Sequence, residues 1–140
     1  MQDRPFSDIA FQQYLMEEKL MGSRCNQCGQ LYAPPRSLCV HCYAMDQKWV
    51  ALGGRGRLAA FTCIAVVPKS MSEEGFGRNN PYCVGVVETI EGPRVVARIV
   101  GVDPLKPESI RIGAPMAVAY LHRTKNGAPK TILAFQPSTL

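Results

Sequence analysis

Cys25-Asn26-Gln27-Cys28-Gly29-Gln30-Leu31-Tyr32-Ala33-Pro34-Pro35-Arg36-Ser37-Leu38-Cys39-Val40-His41-Cys42 holds two Cys-x-x-Cys pairs, with ten residues between Cys28 and Cys39. The two-residue spacer lets a tight turn aim both sulfurs at one ion. Backbone N–H groups in that turn donate to the thiolates, and Gly29 tolerates the left-handed geometry such a knuckle needs. Two knuckles make a tetrahedral site of Cys25, Cys28, Cys39 and Cys42 with no open vertex. Such a site is structural, because zinc catalysis requires a vacant or water-filled position. Zinc is the expected ion and iron the alternative, since tetrahedral sulfur sites accept both. A redox dithiol would stand alone at a helix start in a βαβ setting. His41 reads as a surface residue, because Cys42 completes the set. Residues 23–50 carry little core, so metal binding must supply much of their folding free energy, on the order of 10 kcal/mol.

Outward from this ribbon the chain divides into three blocks: residues 1–22, a helix; 23–50, the metal ribbon; and 51–140, a β-structure. The helical pattern runs from Phe6 to Met21, with Ser7 as N-cap and Gly22 as stop. Phe6, Ile9, Ala10, Tyr14, Met16, Leu20 and Met21 share one broad side, while Phe11 and Leu15 form a second ridge. The second ridge is covered either by the chain's own core or by a partner protein. After Gly53-Gly54, apolar runs at Leu58–Val67, Tyr82–Ile90, Arg94–Val100, Met116–His122 and Lys130–Phe135 read as strands, with turns at Glu91-Gly92-Pro93 and Asn126-Gly127. Five such strands suit a small Greek-key barrel of the OB type, with an open meander or split sandwich as alternatives.

The composition excludes several classes. With 140 residues and 46% hydrophobic content, the chain can bury a core, and no apolar run approaches the ~18–20 residues of a membrane span. No basic stretch leads into an apolar segment at the N-terminus, so a soluble cytoplasmic protein is expected. The formal charge is +5; four bound thiolates subtract four and a divalent metal returns two, which leaves +3. That balance permits an anionic ligand without demanding nucleic acid. Nucleic-acid binding is the alternative function for a zinc ribbon beside an OB barrel. It would want aromatic platforms interleaved with basic residues, yet the barrel half has only Phe61, Phe76, Tyr82, Tyr120 and Phe135.

The catalytic inventory is thin. His41 and His122 have no nearby carboxylate and nucleophile in sequence, although distant partners stay open. Cys63 and Cys83 lie singly in strand-like runs and read as buried inert thiols rather than nucleophiles. Gly53-Gly54-Arg55-Gly56 lacks the Lys-Ser/Thr of a phosphate loop. Two features look like binding. The Pro68–Asn80 loop is long for a hairpin and carries Phe76; it is either bare and flexible or orders on a partner or ligand. Arg94 and Arg98 share one strand face, which is either solvated or an anion contact.

The N-terminal helix, the ribbon with Pro34-Pro35-Arg36 before its second knuckle, the Gly54-Arg55-Gly56 entry, the Pro81-Tyr82 strand start and the closing Phe135-Gln136-Pro137 together resemble a known arrangement. It is that of small zinc-ribbon/OB-fold proteins of acyl-CoA metabolism, with a rubredoxin-like ribbon. These accompany thiolase-fold enzymes: thiolases, lipid-transfer-type aldolases and the archaeal thiolase–hydroxymethylglutaryl-CoA synthase assembly. The resemblance covers residues 5–137. It implies a non-catalytic subunit of a hetero-oligomer, a thiolase being the first expectation and a benzoylsuccinyl-CoA-type thiolase one concrete case. The partner would supply the acyl-carrying cysteine and the acid/base histidines. This chain would stabilise it and complete or gate its CoA-binding region. CoA phosphates call for Lys or Arg, and Lys69, Arg78, Arg57 and Arg123 are the candidates. Phe11, Leu15 and Phe76 are the candidate partner contacts. Cys39-Val40-His41-Cys42 departs from relatives that carry proline after the first cysteine, which alters the stiffness of the turn and not the metal.

Overall fold

A computed structural model describes residues 4–125 and 127–138. Among them no helix is long and apolar enough to cross a membrane. Helix α1 spans Asp8–Met16, and the Ser7 hydroxyl accepts the Ala10 N–H at 3.2 Å. The expected extension to Met21 does not occur. Glu18 adopts a left-handed φ of 59°, which ends the helix, and Met21 is instead the first residue of a strand. Strand β1 (Met21–Cys25) sits between β2 (Leu31–Tyr32) and β3 (Gln47–Ala51), antiparallel to both. Gly22 is therefore not a helix stop. It lies where a Cβ would collide with the Tyr32 carbonyl, so its missing side chain permits the close approach of β2.

Five longer strands close the barrel: β4 (Arg55–Ile64), β5 (Tyr82–Thr89), β6 (Arg94–Ile99), β7 (Pro115–Lys125) and β8 (Ala128–Pro137). Their order is β4-β5-β6-β8-β7, and β7 pairs back onto β4. Only the β6–β8 contact is parallel, as a Greek-key connection over the barrel requires. All five expected strands exist, with shifted ends. The tail of the first apolar run, Ala65-Val66-Val67, leaves the barrel, and Val66 is exposed. Gly127 lies in the expected β7–β8 turn; Asn126 falls outside the described residues.

One core joins the blocks. Phe11 and Leu15 of α1, Leu20 of the α1–β1 link, Ala33 of the ribbon, and Leu52 of the connection pack with Leu58, Val87, Val95, Ile99, Met116 and Phe135 of the barrel. Helix α1 thus finds both of its surfaces within the chain. Tyr14 meets the Trp49 ring edge-on at 4.8 Å, with Phe6 stacked on the same indole at 4.9 Å. Phe11 and Leu15 are 6% and 1% exposed, so the barrel, not a partner, covers that ridge. This corrects their assignment as partner contacts; the outward apolar residues of α1 are Ile9 and Met16. Leu15→Ala is expected to cost about 2–5 kcal/mol in urea unfolding, the range for a buried leucine. A cost near zero would show that the helix is peripheral to the core.

Candidate functional site

The two knuckles are built alike. After Cys25 closes β1, the Gly29 N–H returns to the Cys25 carbonyl at 2.9 Å; after Cys39, the Tyr43 N–H returns to the Cys39 carbonyl at 2.8 Å. The amides of Cys28 and Cys42 point at the sulfurs of Cys25 and Cys39, each at 3.5 Å. Gly29 (φ 83°) and Tyr43 (φ 65°) take the same left-handed position, one at no steric cost and the other against its Cβ.

The four sulfurs lie within 4.8 Å of one another, with Cys25–Cys42 and Cys28–Cys39 separations of 3.5 Å. A tetrahedral ion with bonds of about 2.3 Å to sulfur places its ligands ~3.8 Å apart, so the cluster fits a zinc ion. Cys25 and Cys39 are buried, Cys42 is half-buried and Cys28 is exposed. Without the cation the sulfurs differ sharply. Burial pushes the Cys39 thiol up, but the Tyr32 hydroxyl at 3.4 Å, the Cys42 and His41 amides and the Cys28 thiol outweigh it and hold it at about 6. At Cys42 the Ala44 amide favours the thiolate, but desolvation and the other three sulfurs prevail and push it up to about 12. A divalent cation removes that conflict by taking all four as thiolates. His41 is exposed and outside the cluster.

The remaining candidates are dispersed. Lys69 opens a short helix α2 (Lys69–Ser72) in the Pro68–Asn80 loop, and Arg78 is exposed further along it. Ser70, Glu73 and Glu74 of this loop share a cleft with Arg123 and Lys130 of the β7–β8 hairpin. Arg57 lies elsewhere: it donates to the Gly113 carbonyl at 3.0 Å and pairs with Glu88, seven residues (about 23 Å) along β4 from the Ile64–Tyr82 pair beside the loop. The loop is not bare. Phe76, half-buried, packs edge-on against Tyr82 at 5.3 Å.

Three arrangements escaped the sequence reading. Arg94 and Arg98 share a face, but Arg94 stays open to solvent while Arg98 is covered by the loop, 3.9 Å from Glu74 and over both Phe76 and Tyr82. Cys63 and Cys83 are not separate thiols: they face each other across β4 and β5 and form a disulfide, with Cα atoms 4.1 Å apart. His122 has partners far away in sequence, Glu18 at 2.7 Å and Thr131 at 2.8 Å. That chain resembles a carboxylate–histidine–hydroxyl triad, but Thr131 is buried and offers substrate no access. It ties the end of α1 to the barrel.

Cys39→Ser is expected to reduce bound zinc, measured by elemental analysis, from one per chain to background. Ribbon amide signals should collapse while barrel signals persist; a full zinc complement would refute the four-sulfur site. Tyr43→Gly is expected to raise ribbon stability by about 1 kcal/mol, because it relieves the left-handed backbone. An unchanged or lower thermal midpoint would refute that origin.

Comparison with known proteins covers both halves of the chain. The family described as ChsH2, C-terminal OB-fold domain, matches residues 49–121, and ChsH2, rubredoxin-like zinc ribbon domain, matches residues 13–46, which include all four cysteines. A DUF35 domain-containing scaffold protein of Methanothermobacter thermautotrophicus is 31% identical over 124 residues, 86% of this chain and 87% of its own. Benzoylsuccinyl-CoA thiolase subunit BbsA of Thauera aromatica is 29% identical over 112 residues, 79% of this chain and 70% of its own. Among solved structures, a chain of the Ltp2-ChsH2(DUF35) aldolase matches with a TM-score of 0.77 and 26% identity, over 98% of each chain.

Proposed function

Because this chain belongs to the ChsH2-type DUF35 family, in which a zinc ribbon precedes an OB-fold domain, we propose that it is the non-catalytic subunit of a thiolase-fold acyl-CoA enzyme complex. In this reading it stabilises the partner and completes or gates the partner's CoA-binding region. The observation that carries the proposal is the likeness to a chain of the Ltp2-ChsH2(DUF35) aldolase along nearly the whole of both chains. The thiolase subunit among its relatives points to the same enzyme class. The chain's own chemistry agrees. Its metal centre has four protein ligands and no vacant vertex, and the one carboxylate-linked histidine among the described residues ends on a buried threonine.

The docking face assigned here is the second knuckle, not the Phe11–Leu15 ridge. Leu38, Val40, Tyr43 and Met45 are all exposed within this short stretch. Apolar groups gathered on a metal-stiffened turn suit a protein interface. The gating element is the Pro68–Asn80 loop with Lys69, Arg78 and Phe76, and Arg123 lies across the cleft from it.

Val40→Asp combined with Met45→Asp is expected to release the partner in size-exclusion chromatography while zinc stays at one per chain. Intact assembly would move the interface elsewhere. Deleting Gly75–Asn79 is expected to raise the complex's KM for acyl-CoA by a larger factor than it lowers kcat. An unchanged KM would contradict the gating role.

A further inference from the structure

Arg98 stands on β6 between the buried residues Ala97 and Ile99, so its side chain leaves the barrel on the outer face. An arginine there is ordinarily solvated, yet this side chain is only 12% exposed because the loop folds over it. Its guanidinium carries five N–H donors. Among the described residues its hydrogen bonding goes to the Met71 sulfur at 3.7 Å, a weak acceptor. The Glu74 carboxylate, at 3.9 Å, is beyond hydrogen-bond distance. The faces of Phe76 and Tyr82, at 5.4 and 5.5 Å, provide cation–π attraction. A largely desolvated guanidinium without an oxygen acceptor is costly, and an arriving oxyanion would relieve that cost.

A cleft of about 240 Å³ lies against this guanidinium, lined by Arg98, Arg123, Asn80, Phe76 and Tyr82 and closed by the turn around Gly101. Two arginines face it, and no carboxylate is among its lining residues. Asn80 braces the loop through a bond from its amide to the Gly75 carbonyl, 3.1 Å. Sites for whole small molecules occupy roughly 300–1,000 Å³, so this cleft suits one end of a longer ligand. Arginines for phosphoryl oxygens, beside aromatic rings for a heterocycle, match a phosphorylated nucleoside.

We propose that the cleft between the Phe76–Tyr82 segment and the Arg98 and Arg123 strands binds the phosphorylated adenosine end of coenzyme A, with Arg98 as its principal phosphate ligand. This rests on the acyl-CoA complex proposed above and locates this chain's share of that ligand. Glu74 is the competitor: its carboxylate lies 3.9 Å from the same guanidinium, so a phosphate on Arg98 competes with the ion pair that draws the loop to β6.

The test is calorimetric titration of the zinc-loaded full chain with adenosine 3′,5′-bisphosphate, with adenosine and inorganic phosphate as comparison probes. The bisphosphate is expected to bind more tightly than either fragment. Arg98→Gln should weaken it by about tenfold or more, the worth of a charge-assisted hydrogen bond. Arg98→Lys should recover part of the loss, and Glu74→Gln should tighten binding several-fold by removing the competitor. Zinc content and thermal midpoint should hold in the glutamine variants. No binding by the wild type, equal binding by Arg98→Gln, or inorganic phosphate matching the bisphosphate would each overturn the site. Failure here with an intact enzyme complex would remove only this site, whereas absence of a thiolase-fold partner would remove the reading beneath it.

Discussion

Four sulfurs around one divalent cation are the constraint on which the ribbon and its surroundings depend. The three-stranded sheet is small, and β2 has only Leu31 and Tyr32. Without the ion, the four thiols contend for protons at short range, as the opposite displacements of Cys39 and Cys42 express. With it, two knuckles become one rigid unit, at a gain on the order of 10 kcal/mol. That rigidity reaches beyond the site. It holds Leu20 and Ala33 against the barrel core and presents Trp49 to Phe6 and Tyr14, which seats α1 over the same core. The metal thus supports the junction between ribbon and barrel.

The features legible in the sequence were those with local causes. Cysteine spacing marks the metal centre because a knuckle is a four-residue object. The barrel strands are legible because turn residues punctuate them and one face of each is buried. The end of helix α1 is not legible because apolar periodicity continues to Met21, while the left-handed turn at Glu18 serves a contact with His122, 104 residues away. Phe11 and Leu15 read as a second ridge, but only the tertiary arrangement reveals that the barrel supplies the opposing surface. Arg98 and Arg94 are indistinguishable by alternation; a loop that folds back over one of them makes the difference. The pairing of Cys63 with Cys83 likewise depends on strand register, which spacing alone does not specify.

The division of labour follows from what each part can do. The metal centre is closed and holds shape. The barrel is filled by its own side chains. The surfaces open to a partner lie outside: an exposed apolar knuckle, and a loop anchored on one poorly paired arginine. The proposed role assigns surface and geometry to this chain and the bond-making groups to a partner protein. A relative that is a thiolase subunit and a similar chain in an aldolase are in keeping with that proposal.

The most direct test is native mass spectrometry of the assembly captured through a tag on this chain, before and after zinc is stripped by a chelator. The account predicts a stoichiometric thiolase-fold partner, one zinc ion per copy of this chain, and release of the partner when zinc is removed. Capture of the chain without such a partner, or a complex whose mass survives complete loss of zinc, would contradict it.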